Sequence, residues 1–151
     1  MPERRLRISA NEESMKHLEV VAAIILYDMK VLCVQRGQHK LEYISEKYEF
    51  PGGKVEPNET NEEAIRREIN EELQMNIEVI SYFMTVEHQY QDFSITMKCF
   101  KCSCETDKVV LTEHINYQWL PVEELKSLDW AAADIPIVQN LIGVDGGTIF
   151  R

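Results

Sequence analysis

The chain has 151 residues, of which 44% are hydrophobic, and its 16 basic and 26 acidic side chains give a formal net charge of −10. This length fits one domain. No run of ~18 consecutive apolar residues is present and no apolar signal region follows Met1, so we predict neither a membrane span nor secretion. The acidity argues against binding long nucleic acid and would repel small phosphates unless a cation intervenes.

Three regions are predicted from the polarity of the chain. Residues 1–16 mix basic and acidic side chains, which is typical of a flexible N-terminal tail. Residues 17–143 carry the apolar periodicity and form the predicted folded domain. Residues 144–151 show no periodicity and form a predicted C-terminal tail.

The elements of the predicted domain alternate between strands and helices. The apolar runs within 17–37 predict a strand, a turn and a second strand, followed by a loop over 37–47. Pro51-Gly52-Gly53 predicts a turn, and the capping box of Thr60 and Glu63 predicts a helix that ends near Leu73. The later predicted elements are strands over 77–86, 94–104 and 118–120, a helical turn over 121–125, and a helix from Ile135-Pro136 to Gly143. This order predicts an α+β fold with a mixed sheet.

Four cysteines are present, and they bear on compartment and metal binding. Cys99 and Cys102 have half of a zinc-site spacing, but no second C-x-x-C exists to complete it. On the predicted strand these two side chains point to opposite faces. We therefore expect small buried thiols, together with Cys33 and Cys104, in a reducing cytoplasm.

The first predicted helix carries an unusual concentration of glutamates. Glu68 lies three residues before Glu71 and four before Glu72, so the three share one face. Each such like-charge pair costs roughly 0.2–0.5 kcal/mol in an exposed helix, and folding alone does not require the arrangement. A divalent cation such as magnesium does require hard oxygen ligands. The alternative is a solvated acidic face relieved by Arg66 and Arg67.

The spacing around this helix resembles the box of the Nudix family, G-x5-E-x7-R-E-U-x-E-E-x-G-U, where U is a bulky aliphatic residue. Gly53, Glu59 and the run from Arg67 to Met75 match every fixed position except the final glycine, which is Gln74 here. A glycine at that point eases a left-handed helix exit, so Gln74 puts the shape of the exit in question. The resemblance extends over about residues 18–142.

The flanking segments resemble one branch of that family. Residues 48–56 look like the approach to the box in MutT-like nucleoside triphosphate pyrophosphohydrolases. Residues 119–121 and 129–136 are similar to the base-recognition end of the CTP pyrophosphohydrolase branch. The resemblance implies an α/β/α sandwich around a mixed sheet, so that 17–143 would be a Nudix hydrolase domain.

The resemblance also implies roles for individual residues. Arg67 would orient the glutamates, and the catalytic set is Glu68, Glu71, Glu72, Arg67 and Glu113. The implied metal ligands are Glu68, Glu71, Glu72 and Glu113, with the carbonyl of Gly52 or Gly53. The implied substrate-binding residues are Arg36, Phe50, Lys54 and Asp134.

Each residue outside the glutamate helix has a structural alternative. Glu113 is equally a loop glutamate, Arg36 a solvated strand end and Lys54 a charge balance within an acidic segment. Phe50 is equally a core aromatic residue. Asp134 either accepts from an exocyclic amine such as the 4-amino group of cytosine or lies at a helix N-terminus, where an anion is favoured.

The activity implied by the resemblance is magnesium-dependent hydrolysis of a nucleoside triphosphate to the monophosphate and pyrophosphate, with Mn²⁺ as a substitute ion. The substrates would be CTP, dCTP and 5-methyl-dCTP, or oxidised nucleotides such as 8-oxo-dGTP, in nucleotide pool sanitation. The rivals are hydrolysis of ADP-ribose or a dinucleoside polyphosphate, and a non-enzymatic nucleotide sensor. The expected partner is a small nucleotide, with neither long nucleic acid nor membrane, and the expected state is a monomer or homodimer.

Overall fold

The computed structural model describes residues 16–143 and 148–150. The predicted N-terminal tail therefore lies outside the described residues except for Lys16. The elements are seven strands and two α-helices: β1 Lys16–Tyr27, β2 Lys30–Gln35, β3 Tyr48–Glu49, β4 Gly52–Lys54, α1 Asn61–Leu73, β5 Ile77–Gln89, β6 Phe93–Cys104, β7 Asn116–Leu120 and α2 Ile135–Gly143. Short 3-10 turns cover Val122–Ser127, Ala132–Asp134 and Thr148–Phe150. In this part of the chain no helix is long and apolar enough to cross a membrane.

One mixed sheet organises the domain around β1. This strand pairs in parallel with β6 and antiparallel with both β2 and β4, while β5 pairs antiparallel with β6 at one edge. At the other side β2 pairs with β3 and with β7. The single parallel pair makes the sheet mixed, which confirms the predicted fold class.

Both faces of β1 are buried from Val21 to Leu26, because a helix covers each side of the sheet there. Alternate residues Val21, Ala23 and Ile25 pack with the apolar face of α1, while Ala22, Ile24 and Leu26 belong to the cluster that contains α2. A strand buried on both faces is apolar at every position, which explains the continuous run seen in the sequence. The sheet and its two helical layers form the predicted α/β/α sandwich.

Local interactions determine where helix α1 begins and ends. The Thr60 hydroxyl accepts from the Glu63 backbone N–H at 3.1 Å, and the Glu63 carboxylate accepts from the Thr60 N–H at 2.9 Å, so the capping box is complete. The helix ends after Leu73, as predicted. Gln74 adopts the left-handed conformation (φ 54°, ψ 43°) that the family's glycine favours. The exit is therefore kept although the glycine is absent.

Two expectations about local structure need correction. Gly52 and Gly53 do not form a turn but lie in β4, because without side chains they pair closely with Ala22 and Val21 of β1. Of the predicted C-terminal tail, Thr148–Phe150 form a 3-10 turn in which Ile149 is buried in the core cluster of α2. Ile149 and Phe150 pack on the domain through their apolar side chains. Residues 144–147 and 151 lie outside the described chain.

The cysteines are placed as the strand pattern predicted. Cys99 belongs to the core cluster on the α2 side of the sheet and Cys102 to the cluster on the α1 side. Both are free thiols, as are Cys33 and Cys104. Burial raises the pKa of Cys99 and of Cys102 to about 12, so neither is a reactive thiolate.

Candidate active site

Arg67 is the structural centre of the glutamate helix. Its guanidinium makes a two-point ion pair with Glu59, with Nε 2.6 Å from Oε2 and Nη2 2.9 Å from Oε1. Nη2 also donates to the carbonyl oxygen of Lys54 at 3.0 Å, and Nη1 lies 3.1 Å from Glu68 Oε2. The predicted partner Glu71 is more distant, at 3.5 Å. Arg67 therefore orients the helix glutamates while Glu59 orients Arg67.

The two glycines of β4 are required for different reasons. A Cβ on Gly52 would overlap the backbone of β1, with the Ala22 Cα only 2.9 Å away. A Cβ on Gly53 would overlap the carboxylate of Glu68, whose Oε1 would be 2.7 Å away. Glu68 thus lies directly against the backbone at Gly53, so a carboxylate and the β4 backbone meet at one point.

Glu72 is the most electrostatically perturbed member of the helix. Its Oε1 is enclosed and has no hydrogen-bond partner among the described residues. Burial, followed by interaction with the Glu68 carboxyl and repulsion from Glu113 and Glu49, raises the pKa of Glu72 to about 9. An enclosed, unpartnered carboxylate oxygen beside another carboxylate is unfavourable unless a proton or a cation balances it.

The loop before β7 is attached to the C-terminal end of α1. The Thr112 hydroxyl donates to the carbonyl oxygen of Glu71 at 2.9 Å, and the Thr112 backbone N–H donates to that of Glu72 at 3.1 Å. These bonds satisfy helix carbonyls that have no partner within α1. They also place Glu113, which is exposed, next to the side of the helix that carries Glu72.

The donor set fits a hard divalent cation in its chemistry. Glu68 and Glu72 supply carboxylates that lie close together, the Glu72 Oε1 lacks a partner, and the glycine at 53 leaves room for Glu68 against the backbone. Glu71 is exposed and turned toward Arg67. In the described part of the chain no three His, Cys, Asp or Glu side chains form a ready-made metal cluster. The ligand set predicted from the sequence therefore stays a prediction.

A second charged group lies beside these glutamates. The Glu49 carboxylate accepts from Arg36 Nη1 at 3.2 Å through Oε1 and lies 2.9 Å from His114 Nε2 through Oε2. The His114 side chain is buried, and its Nδ1 has no hydrogen-bond partner within the described residues. Arg36 is partly exposed at the end of β2, as predicted, while the Lys54 side chain is exposed.

Asp134 and Phe50 meet at the other end of the site. Asp134 is 5% exposed, and its Oδ1 accepts from the Phe50 backbone N–H at 3.0 Å. Burial and the nearby Glu49 raise the pKa of Asp134 well above its usual range. The Phe50 ring is buried in the core and stacks on Trp130 at 4.7 Å. Phe50 is thus a core aromatic residue, and Asp134 is bound to the backbone of Phe50, the residue that follows β3, rather than left at a free helix end.

Sequence reasoning missed several of these residues. Glu59 is a fixed position of the box and was assigned no role, although that fixed position was itself the signal. Glu49, His114 and Thr112 gave no signal, because the contact between Glu49 and His114 spans 65 residues of the chain and that between Thr112 and Glu71 spans 41. His88, which is outside the predicted catalytic set, contacts the Tyr90 ring edge-on with centroids 4.4 Å apart.

The fold and the glutamate-rich helix α1 are typical of a class of hydrolases that acts on acid anhydrides. The sequence profile of the NUDIX domain matches residues 16–141. The chain therefore belongs to the Nudix family, and it is a Nudix hydrolase. Members of this family generally use a divalent metal ion.

Individual relatives agree with this assignment. The chain is 34% identical over 130 residues to a CTP pyrophosphohydrolase of Escherichia coli. The matched region covers 86% of this chain and 95% of the relative. It is 28% identical over 127 residues to an 8-oxo-dGTP diphosphatase of the same organism, over 84% of this chain and 98% of the relative. The solved structure of the E. coli ORF135 protein superposes with a TM-score of 0.73 at 33% identity, covering 87% of this chain and 93% of the other.

Proposed function

We propose that this Nudix hydrolase is a magnesium-dependent nucleoside triphosphate pyrophosphohydrolase that converts a triphosphate and water to the monophosphate and pyrophosphate. Cytidine-type nucleotides are the proposed substrates, with 8-oxo-dGTP as the oxidised alternative, and nucleotide pool sanitation in the cytoplasm is the proposed role. The observation that carries the proposal is the enclosed carboxylate pair of Glu68 and Glu72, with the Glu72 Oε1 unpartnered.

Glu68, Glu71 and Glu72 are the proposed ligands, with the carbonyl of Gly52 or Gly53 and with Glu113 from the attached loop. Bound magnesium would neutralise phosphate charge and lower the pKa of a water molecule. Manganese would substitute, since it also takes carboxylate and water ligands.

The protein residues supply position and proton transfer. The Glu59–Arg67 pair holds Glu68 against Gly53, which fixes one carboxylate before substrate arrives. One of the helix glutamates accepts the proton of the attacking water. Water attack at the β-phosphorus, as the resemblance implies, leaves the nucleoside monophosphate and releases pyrophosphate. Arg36 and the exposed Lys54 are the proposed phosphate contacts.

Asp134 supports the cytidine preference by its hydrogen-bond chemistry. Because the Phe50 N–H donates to Oδ1, the second oxygen of the carboxylate is not used by that bond. An ionised oxygen there accepts from an exocyclic amine, such as the 4-amino group of cytosine, and that contact itself favours the ionised form. The E. coli relative named as a CTP pyrophosphohydrolase supports the same preference.

A substrate panel tests the proposal. With Mg²⁺, the protein is incubated with CTP, dCTP, 5-methyl-dCTP, 8-oxo-dGTP, dATP and ADP-ribose, and pyrophosphate and orthophosphate are measured separately. Pyrophosphate from the cytidine nucleotides at the highest kcat/KM supports the proposal. Release of orthophosphate alone contradicts the proposed bond cleavage, a preference for ADP-ribose supports the diphosphate rival, and binding without any product supports a sensor.

A further inference from the structure

Tyr90 lies at the centre of a group of four aromatic side chains beside Asp134. Its ring stacks on Tyr43 with centroids 5.5 Å apart, contacts His88 edge-on at 4.4 Å and packs against Phe93 at 5.0 Å. The Tyr90 backbone N–H also donates to the Phe93 carbonyl oxygen at 2.7 Å, which closes the turn between β5 and β6. Ring and backbone are thus both held in place, and the aromatic group that fixes Tyr90 comprises Tyr43, His88 and Phe93.

The Tyr90 hydroxyl is tied to the segment that carries Asp134. The Ala133 backbone N–H donates to the Tyr90 oxygen at 2.9 Å. That bond uses the phenolic oxygen as an acceptor, so the phenolic hydrogen remains available to another acceptor. Burial and the neighbouring carboxylates of Asp134 and Glu49 raise the pKa of Tyr90, which keeps the phenol protonated and able to donate.

A base edge needs more than one kind of partner. The ionised Asp134 oxygen can only accept hydrogen bonds, which suits the 4-amino group of cytosine. The neighbouring N3 and O2 atoms of cytosine are acceptors and need a donor. Since buried acceptors without donors cost binding free energy, a donor beside Asp134 would complete recognition of the base.

We propose that Tyr90 is a second base-recognition residue, whose hydroxyl donates to an acceptor on the base edge next to the amine held by Asp134. This inference deepens the proposed function and rests on it for the position of the base. In this arrangement the Tyr90 hydroxyl binds an acceptor atom of the base, and the Asp134 carboxylate binds the amine of the base. The aromatic group fixes the hydroxyl in advance, so little ordering is needed when the nucleotide binds.

The experiment compares wild type with Tyr90→Phe, which keeps the ring and removes the hydroxyl. Tyr82→Phe is the matched control, because the exposed Tyr82 bonds Thr85 through its hydroxyl and lies outside the aromatic group of Tyr90. The substrates are CTP, the 4-deamino analogue pyrimidin-2-one riboside triphosphate, and inorganic triphosphate. The pyrimidin-2-one analogue keeps both acceptors of cytosine but has no amine for Asp134.

We expect Tyr90→Phe to lower kcat/KM about tenfold for both CTP and the analogue, mainly through KM, and to leave inorganic triphosphate nearly unchanged. The melting temperature should fall in this variant, because the Ala133 N–H loses its acceptor. Tyr82→Phe should change kcat/KM for none of the three substrates by more than about twofold. An equal loss with inorganic triphosphate would show a general structural role and overturn the proposal. A loss with CTP alone would show that Tyr90 acts only through the position of Asp134, which also overturns it.

Binding of CMP, measured by titration calorimetry, separates this inference from the proposed function. We expect CMP to bind Tyr90→Phe about tenfold more weakly than wild type or Tyr82→Phe. Equal CMP affinities, or no CMP binding to wild type, would overturn the role of Tyr90. Failure of wild type to release pyrophosphate from CTP despite a tenfold difference in CMP affinity would instead contradict the proposed reaction.

Discussion

Arg67 and Glu59 form a two-point ion pair, with N–O distances of 2.6 and 2.9 Å, eight residues apart in the chain. The pair lowers the pKa of Glu59 to about 2, chiefly through the hydrogen bonds from Arg67. Because the same guanidinium lies 3.1 Å from Glu68, Glu59 acts on the proposed metal site without touching it. This contact explains why the motif contains a glutamate eight residues before its arginine.

The first prediction concerns this pair. Glu59→Gln removes the charge that orients Arg67, so we expect kcat/KM to fall about 10–100-fold. Glu56→Gln is the matched control, since Glu56 is exposed and its oxygen lies 3.9 Å from Arg67 Nη1. That variant should retain activity within about twofold. Steady-state kinetics at fixed Mg²⁺ measures both, and equal losses in the two variants would contradict the orienting role of Glu59.

The second prediction separates the two glycines of β4. Gly52→Ala places a methyl group against the β1 backbone, so it should lower the free energy of unfolding by about 1–3 kcal/mol. Gly53→Ala displaces the Glu68 carboxylate, which is the movable end of a side chain, so Mg²⁺-dependent activity should fall about 10–100-fold with a smaller loss of stability. Urea denaturation and a Mg²⁺ titration of the rate test the contrast. Identical phenotypes for the two variants would count against it.

The third prediction follows from the raised pKa of Glu72. Since the folded protein holds this proton more tightly than the unfolded chain, the metal-free protein is stabilised at acid pH. That stabilisation is lost as the pH rises from about 4, the ordinary carboxyl value, toward about 9. Glu72→Gln should flatten this decline.

Magnesium provides the complementary measurement for Glu72. At pH 8 the ion should raise the melting temperature of wild type by replacing the proton held by Glu72. The rise should be much smaller in Glu72→Gln, and this variant should also be inactive. Thermal denaturation with and without Mg²⁺ measures the shift. An unchanged Mg²⁺ effect in the variant would remove Glu72 from the ligand set.

The fourth prediction concerns Asp134. In Asp134→Asn the amide oxygen can still accept from the Phe50 N–H, so the fold contact is kept while the second atom becomes a donor. We expect kcat/KM for CTP to fall about 10–100-fold, as for a lost base contact of ~1–3 kcal/mol, with inorganic triphosphate unaffected. Competition kinetics between the two substrates measures the ratio. A constant ratio would assign Asp134 to structure alone.

The sequence predicts those features that depend on residues close together in the chain. The capping box of Thr60 and Glu63 and the apolar face of α1 are local, so the helix and its bounds followed directly. The continuous apolar run of β1 was visible, but its burial by two helical layers required the fold.

The remaining parts of the site depend on contacts between distant residues. Glu49 meets His114 across 65 residues, and Asp134 meets Phe50 across 84, and no spacing rule predicts such pairs. The glycines at 52 and 53 suggested a turn because glycine pairs are common there, whereas Gly52 approaches the backbone of β1 closely and Gly53 the carboxylate of Glu68. Ile149 likewise packs on the core through a contact that an aperiodic segment does not reveal.

Hydrolysis of CTP in water enriched in oxygen-18, followed by mass spectrometry of the products, tests the central claim most directly. Water attack at the β-phosphorus predicts one labelled oxygen in pyrophosphate and none in CMP, at equal amounts of the two products. Label in orthophosphate accompanied by CDP, or in CMP, would contradict the proposed reaction.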